Sequence, residues 1–363
     1  MLIDKARHPR FHIGESLVPH ILPILDRLGV TQQVADIGVY KPGAEFVSPE
    51  HDHRQPFFFA ESLEPVLPFS YQVRRSDFDE ILFRHAEKTG VVLKEQYAVT
   101  EGLRTADGWT LQLDGDDGRS EVSATYVVDA SGRDGFLARA HDLRVRDSRH
   151  NSAALFAHYE GVDPAAWGTP GNISIYWFEH GWIWFIPLPD GVTSIGAVCM
   201  PDYLKTRSGS LEDFMESTLR LCPKAWDVAK NADRVSAVSG AGNYSYKAKS
   251  ASGDGYLLVG DSYAFVDPVF STGVLLAMSA ERAARTVNDI LDRPAKAAAY
   301  QRRYQREVDH AIKRVSWFVV RFNTLTMMNL FMAPRNPFGV KNAVISLLAG
   351  EFYRGGTLAA RLW

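Results

Sequence analysis

The 363-residue sequence has few of the features that mark specialised classes of protein. Two cysteines, Cys199 and Cys222, are too few for a disulfide framework, so a reducing cytoplasm is the expected compartment. The formal net charge of −3 indicates neither a nucleic-acid nor an anionic-membrane partner. The first residues lack a basic segment followed by an apolar run, so no signal peptide is predicted.

Long apolar runs are also absent. The most apolar late stretch, 317–332, is interrupted by Arg321, Asn323 and Asn329, which predicts a packed or interfacial helix and no membrane span. Aromatic residues are abundant, with 8 Trp, 14 Tyr and 20 Phe. They occur in patches, which favours an aromatic-lined cavity.

Metal-ligand spacings are missing as well. The run of Glu50, His51, Asp52 and His53 contains the right residue types, but adjacent residues rarely converge on one ion. We expect a solvated loop there and no metal site.

Short apolar runs that end in small or acidic residues predict buried parallel strands. Such runs occur at 2–4, at 125–132 and at 256–265. The aromatic, alternating stretch from 151 to 200 predicts an antiparallel sheet with one covered face. Together these patterns predict an α/β nucleotide-binding core with an inserted antiparallel domain.

Three helices are expected around these strands. Ser16 is predicted to cap a helix that ends at Gly29 and is kinked at Pro23. A second helix, at 77–89, is preceded by Ser76 and has Asp79 in the position of a capping box. A third is predicted over 273–291, and mostly helical structure follows it.

The segment 257–284, LLVGDSYAFVDPVFSTGVLLAMSAERAA, carries the strongest chemical pattern. A buried strand delivers Gly260 and Asp261, whose carboxylate can bind a ribityl or ribose hydroxyl. Asp267-Pro268 then leads to Ser271-Thr272-Gly273 at a helix start, where N–H groups and the helix dipole favour a flavin oxygen or a small anion. Gly-Asp turns alone are usually structural, but the complete series favours a flavin site.

This segment resembles the second FAD-binding motif of the flavoprotein monooxygenase and halogenase superfamily. Residues 127–135, VVDASGRDG, resemble its middle motif, and 72–82, QVRRSDFDEIL, resemble the segment whose arginine, here Arg75, contacts the cofactor. HPRFHIGESLVP at 8–19 is similar to the flavin-side segment of flavin-dependent halogenases, although alone it would indicate only a loop before a helix.

GWIWFIPLPDG at 181–191 supports the halogenase branch. Trp182, Trp184, Ile186 and Pro187 match the family's Trp-x-Trp-x-Ile-Pro pattern, which is thought to separate substrate from flavin. The ordinary alternative is a strand with alternate indoles on one covered face.

GVYKPGAEF at 38–46 places Lys41 where the family has its active-site lysine. A desolvated pocket would lower the lysine pKa, and the amine could then hydrogen-bond hypohalous acid or form a chloramine. Without the resemblance, a solvated surface lysine is the expected state.

The resemblance implies an FAD-dependent halogenase that receives reduced flavin from a separate NAD(P)H-dependent flavin reductase and uses chloride or bromide. It assigns halide binding to Ser271, Thr272 and Gly273, and a substrate cavity to Phe270 and the tryptophan strand. Cofactor contacts are assigned to Asp4, Gly14, Glu15, Ser16, Arg75, Gly260, Asp261, Thr272, Gly273 and Val274.

One departure from the family narrows the substrate. Tryptophan halogenases have a glutamate just before Ser-Thr-Gly, where this sequence has Phe270. An electron-rich phenol or pyrrole, with a carrier protein as a further option for presenting it, fits this change better than free tryptophan. An aromatic hydroxylase of the same fold and a chain that binds no flavin remain alternatives.

The superfamily's opening strand, Gly-x-Gly-x-x-Gly turn and helix are not found in the sequence. The expected fold is therefore an FAD-binding Rossmann-like three-layer core of the glutathione-reductase type that lacks its first βα unit, with Asp4 in the position of the ribose-binding acid. We predict this core at 1–37, 72–150 and 250–295, an inserted sheet domain at 38–71 and 151–249, and a helical region at 296–363.

Overall fold

The computed structural model describes residues 1–63, 68–146, 152–163 and 167–353, and for Asn243 and Tyr244 the backbone alone. Its strands are β1 (Leu2–Asp4), β2 (Gly38–Lys41), β3 (Gly43–Val47), β4 (Arg54–Phe58), β5 (Ser70–Val73), β6 (Leu93–Glu95), β7 (Tyr97–Thr105), β8 (Gly108–Gly115), β9 (Gly118–Ala124), β10 (Val127–Asp129), β11 (Arg144–Arg146), β12 (Ser152–Glu160), β13 (Ile173–Phe178), β14 (Gly181–Pro187), β15 (Thr193–Cys199), β16 (Asp233–Arg234), β17 (Ser239–Tyr244), β18 (Tyr246–Ala248), β19 (Ser252–Gly253), β20 (Tyr256–Leu258) and β21 (Ala264–Phe265).

The α-helices divide into short ones between the strands and longer ones near the carboxyl end. They are α1 (Leu22–Leu28), α2 (Thr31–Asp36), α3 (Arg75–Lys88), α4 (Phe136–Ala140), α5 (Pro201–Leu204), α6 (Leu211–Arg220), α7 (Pro223–Ala229), α8 (Gly273–Met278), α9 (Ala280–Asp292), α10 (Ala297–Phe322), α11 (Leu325–Met332) and α12 (Val340–Leu348).

The predicted strands of the nucleotide-binding core are present and parallel. β1 pairs with β6, and β10 pairs with β20, so the first strand and the Gly-Asp strand belong to parallel pairs. The Val259 amide donates to the Asp129 carbonyl across the ends of β10 and β20. The carboxyl ends of these two strands therefore meet, which brings Asp129 and Gly260 to one edge.

The largest sheet has the order β16-β12-β15-β14-β13-β3-β4, with β17 also paired to β12. Its pairs are antiparallel except for β3 with β13, which are parallel. Alternation along β14 sends Trp182 and Trp184 into the core shared with β20, whereas Ile183 and Phe185 face a second core beneath α6 and α7. The predicted antiparallel aromatic sheet is confirmed for the described residues.

The helix predicted to start at Ser16 begins later. A 3-10 turn covers Pro19–Ile21 and α1 follows, without a side-chain cap. Pro23 lies in the first turn of α1, where its missing N–H costs no hydrogen bond, so the predicted kink is wrong. Gly29 ends the helix in the left-handed conformation, as predicted.

The capping box predicted at Ser76 and Asp79 is wrong. α3 starts at Arg75, and Arg74 precedes it without a side-chain hydrogen bond. The Asp79 carboxylate instead binds Arg75, at 2.8 Å, and Arg10, at 3.1 Å. Both carboxylate oxygens accept from these arginines, which leaves the backbone at the helix start without this partner.

The carboxyl-terminal part is helical as predicted, but the helix expected over 273–291 is interrupted at Ser279 and divides into α8 and α9. Residues 354–363 of the predicted helical region lie outside the described residues. No helix among the described residues is long and apolar enough to cross a membrane. Both cysteines are free and buried.

Candidate active site

A short extended segment, 15–17, organises the site. Its backbone pairs with β5: the Val73 amide donates to the Glu15 carbonyl at 2.8 Å, and the Leu17 amide donates to the Tyr71 carbonyl at 3.0 Å. Consecutive side chains of an extended chain point to opposite faces. Glu15 and Ser16 therefore reach two different parts of the site.

Ser16 reaches Lys41. The ammonium group of Lys41 donates to the Ser16 hydroxyl at 2.8 Å and to the Leu17 carbonyl at 2.7 Å. The predicted capping role of Ser16 is therefore wrong. Sequence reasoning missed the contact because it depends on the pairing of segment 15–17 with β5, which brings together residues 25 positions apart.

Lys41 is 1% exposed, so the solvated alternative is excluded. Among the described residues no carboxylate lies within 4.0 Å of its nitrogen, and the Phe59 ring centroid is 5.4 Å away. Burial without a counter-ion lowers the pKa of Lys41 to about 7. The amine therefore exchanges protons near neutral pH.

A small cavity joins Lys41 to the Ser-Thr-Gly turn. It can hold about one water molecule. Its lining residues come from β2, β3, the 3-10 turn after β4, β13, the turn before α8 and α12: Lys41, Ala44, Phe46, Phe59, Ile173, Ile175, Val269, Phe270, Ser271 and Leu348. Phe270 and Ser271 therefore line the same cavity as Lys41.

The turn before α8 has a constrained backbone. The Asp267 carboxylate accepts from the Val269 amide at 3.2 Å, and Ser271 adopts a positive φ of 55°. The Thr272 hydroxyl is buried and has no hydrogen-bond partner among the described residues. A methyl group added at Gly273 would meet nothing within 4 Å, so the start of α8 faces open space.

Arg75 and Gly14 lie close together beside α8. Arg75 donates to the Ile13 carbonyl at 2.9 Å, and Gly14 has a φ of +110°. A side chain at Gly14 would lie 2.9 Å from the Arg75 guanidinium and 3.8 Å from Val274. Only glycine fits position 14 without strain.

Asp261 follows Gly260, which has a φ of +54°. Burial raises the pKa of Asp261 to about 7, and the nearby charges of Arg133 and Arg75 act against that rise. Within the described part of the chain no side chain or backbone group donates to this carboxylate. Asp4, by contrast, is already engaged, by the Ala6 amide at 2.9 Å and by His8 at 3.1 Å.

Glu15 binds His158, a residue that the sequence did not single out. The His158 imidazole and one Glu15 oxygen are 2.7 Å apart, and Glu15 is 1% exposed. The other Glu15 oxygen is buried and has no partner in the described residues. Alternation along β12 places His158 on the same face as Phe156, which was the available signal.

The tryptophan strand lies behind the cavity. None of Trp182, Trp184, Ile186 and Pro187 lines the space beside Lys41. Trp182 hydrogen-bonds to Asp267, whose pKa burial raises to about 6. The Trp184 indole donates to the Ser194 hydroxyl at 3.2 Å. The two indoles therefore support the turn and the sheet.

A family model for tryptophan halogenases matches residues 51–329. The chain belongs to this family. The match covers β4 to α11, including the tryptophan strand and the Ser-Thr-Gly turn, whereas Lys41 and segment 15–17 precede it.

Individual relatives agree with this assignment. The chain is 34% identical over 319 residues to a tryptophan 2-halogenase of Chondromyces crocatus, covering 84% of this chain and 60% of that protein. It therefore spans three fifths of that relative. It is 32% identical to a 1H-pyrrole-2-carbonyl-peptidyl-carrier-protein brominase of Pseudoalteromonas luteoviolacea, covering 80% of this chain and 72% of the brominase.

The flavin-dependent brominase Bmp2 has a similar structure, with a TM-score of 0.84 at 27% identity, covering 99% of this chain and 89% of Bmp2. This likeness confirms a mixed α/β fold with several sheets and a helical carboxyl-terminal part.

The residues present fit the flavin end of an FAD molecule. A ligand at the start of α8 would find an unpartnered Thr272 hydroxyl, open space at Gly273 and the undonated Asp261 carboxylate. These are groups that a polar ring system with a ribityl chain can satisfy. The sequence has no Gly-x-Gly-x-x-Gly turn for the pyrophosphate, so the fit concerns the flavin end alone.

Proposed function

We propose that this protein is an FAD-dependent halogenase that acts on an electron-rich aromatic substrate, either a phenol or a pyrrole. The observation that carries the proposal is a buried lysine that has no counter-ion among the described residues, beside a small cavity that also touches the Ser-Thr-Gly turn. A lysine held this way has no evident structural purpose, since burying it uncompensated costs stability.

Reduced flavin, when bound, supplies the two electrons with which dioxygen converts a halide ion into hypohalous acid. The protein's part is to hold reactants and exclude water. Arg75, Asp261 and the residues from Thr272 to Val274 would hold the flavin end, with Gly14, Glu15 and Ser16 beside it. Ser271, Thr272 and Gly273 would hold the halide.

Lys41 would position the oxidant. The cavity beside it accommodates about one water molecule and excludes an aromatic ring. The Ser16 hydroxyl and the Leu17 carbonyl accept two of the three ammonium hydrogens, which directs the third. A hydrogen bond from this nitrogen would polarise the oxygen–halogen bond and leave the halogen electrophilic.

The substrate assignment rests on Phe270. This residue lines the cavity where tryptophan halogenases have glutamate, so no carboxylate from this position faces the site. An electron-rich ring needs less assistance to lose its proton. The brominase relative is named for a pyrrole on a carrier protein, which supports the pyrrole option and a carrier-bound substrate.

The proposal is tested with chemically reduced FAD, dioxygen and chloride or bromide, supplied to the chain together with a panel of phenols and pyrroles. We expect a halogenated product that depends on the halide and is lost in Lys41→Met but kept in Lys205→Met, an exposed-lysine control. A hydroxylated product that forms without halide would instead establish an aromatic hydroxylase.

A separate flavin reductase is the proposed partner, and we expect reduced flavin from any source to replace it. Flavin absorbance of the purified chain tests cofactor binding directly. A chain that never retains or turns over FAD would contradict the proposed function.

A further inference from the structure

The outer face of α10 carries a row of residues that includes four cations. Every exposed position between residues 302 and 321 falls on one face, at the spacing of an α-helix. These positions, defined here as the cationic stripe, are Arg302, Arg306, His310, Lys313, Trp317 and Arg321. The stripe is about 28 Å long at 1.5 Å per residue.

The charge of the stripe is not neutralised within the described part of the chain. The two acids of α10 are engaged elsewhere, Glu307 by Arg282 at 3.0 Å and Asp309 by Lys247 at 2.5 Å. No described carboxylate lies within 4.0 Å of the side-chain nitrogens of Arg302, Arg306, Lys313 or Arg321. In a chain of net charge −3, this face is a local cationic surface.

The inner face of the same helix contacts the wall of the active-site cavity. The ring centroids of Phe318 and Phe322 lie 5.9 and 5.5 Å from that of Phe270, which lines the cavity. The stripe and the cavity are therefore separated by one helix, about 10 Å across.

We propose that the cationic stripe docks an acidic carrier protein that presents the aromatic substrate as a phosphopantetheine thioester. The inference rests on the proposed function and deepens it by naming the form of the substrate and its docking surface. Each loaded carrier presents a phosphodiester at the base of its arm, and arginine side chains bind phosphate oxygens in pairs. The name of the brominase relative describes such a carrier-bound substrate.

The stripe also provides an apolar anchor. Trp317 is 42% exposed between Lys313 and Arg321, at the end of the stripe nearest Phe318 and Phe322. A large aromatic surrounded by arginine and lysine is the composition of an interface hot spot. Docking at this end would place the arm close to the cavity, and tethering would raise the local substrate concentration.

The decisive experiment measures binding by fluorescence anisotropy, without flavin. The probe is a labelled peptidyl carrier protein that holds 1H-pyrrole-2-carbonyl on phosphopantetheine through a hydrolysis-resistant amide. The stripe variant combines Arg306→Glu, Lys313→Glu and Arg321→Glu. The control variant carries the same charge change at exposed sites elsewhere, Lys88→Glu, Arg119→Glu and Arg207→Glu. Circular dichroism checks that both variants fold.

We expect the wild-type and control proteins to bind the carrier with affinities within about two-fold of each other. The stripe variant should bind at least about ten-fold more weakly, with a smaller dependence on salt. Failure of the wild-type protein to bind, or equal loss in the control, would overturn the proposal. Preferential binding of wild type to anionic vesicles, with none to the carrier, would overturn it in favour of a membrane surface.

Because the assay contains no flavin, its result is independent of catalysis. Halogenation of the same acyl group on free pantetheine then separates the two proposals. If the halogenase proposal is correct and the docking proposal is wrong, the stripe variant halogenates carrier-bound and free thioesters as well as wild type. If docking is correct, it loses only the carrier-bound reaction.

Discussion

Lys41 and Glu45 lie four residues apart, at the end of β2 and within β3, and each is 1% exposed. Glu45 is fully paired: it accepts from Arg54 at 3.0 Å, from the Ser174 hydroxyl at 2.6 Å and from the Thr169 amide at 2.9 Å. In the part of the chain that the structure describes, Lys41 donates to two neutral acceptors and to no carboxylate. The sheet thus buries one charge with a counter-ion and the other without one.

The difference separates a buried residue that stabilises the fold, Glu45, from one that is available for chemistry, Lys41. A paired and hydrogen-bonded buried charge fixes strands in place. An unpaired amine is destabilised in its charged form and exchanges protons near neutrality. Two neighbouring residues of equal burial are therefore expected to respond oppositely to substitution, Lys41 in activity and Glu45 in stability.

The largest effect is expected for Lys41→Met. Removing the group that positions the oxidant should lower the rate of halogenation by about 100- to 10,000-fold, the range of a lost acid–base or hydrogen-bonding group. The free energy of unfolding should not fall, because an apolar chain of similar length replaces an uncompensated amine. Single-turnover product analysis and thermal unfolding measure both. A rate within two-fold of wild type would remove Lys41 from the mechanism.

Glu45→Gln should show the opposite pattern. The amide cannot accept from Arg54, Ser174 and the Thr169 amide at once, so we expect the free energy of unfolding to fall by about 2–4 kcal/mol. Urea denaturation measures the loss against Glu50→Gln, an exposed control expected to stay within about 0.5 kcal/mol of wild type. Equal stability of the two variants would show that the Glu45 network is not structural.

The pH dependence of stability sharpens the same comparison. The pKa of Lys41 is about 7 in the fold and 10.5 ordinarily, so between these values the unfolded chain binds a proton that the folded chain does not. Stability should therefore rise with pH in this window, by up to about 1.4 kcal/mol per pH unit relative to Lys41→Met. Denaturation of both proteins from pH 6 to 9 measures this slope, and parallel curves would contradict it.

Ser16→Ala should produce the smallest effect. Loss of one acceptor destabilises the charged form of Lys41, so its pKa should fall by about one unit, the equivalent of a hydrogen bond worth about 1.4 kcal/mol. The midpoint of the pH–rate profile for halogenation should shift to lower pH by the same amount. Ser208→Ala, at an exposed site, should leave the midpoint unchanged. A profile that keeps its midpoint in Ser16→Ala would show that the hydroxyl does not set the lysine's protonation.

Local sequence patterns predicted the fold correctly where burial alone determines the structure. The runs at 2–4, 125–132 and 256–265 became strands because apolar segments ending in small residues have few alternatives. The helix starts were predicted poorly, since Asp79 and Ser16 found stronger partners elsewhere in the chain than a helix end. Such competition between local and distant partners is not visible in local sequence.

Parts of the candidate site could not be predicted from local sequence for the same reason. Lys41 was identified only through the family resemblance, because its neighbours Tyr40 and Pro42 give no sign of a buried position. Its burial results from the packing of β2, β3 and the turn before α8. His158 was missed, because its partner Glu15 is 143 residues away.

Lys41 is a buried amine with no counter-ion among the described residues. NMR of the protein labelled with ¹³C and ¹⁵N in lysine side chains tests it most directly, with the resonance of Lys41 assigned by its absence from Lys41→Met. We predict that this resonance titrates near pH 7, apart from the exposed lysines. Titration of Lys41 near its ordinary value of 10.5, together with the others, would contradict the account.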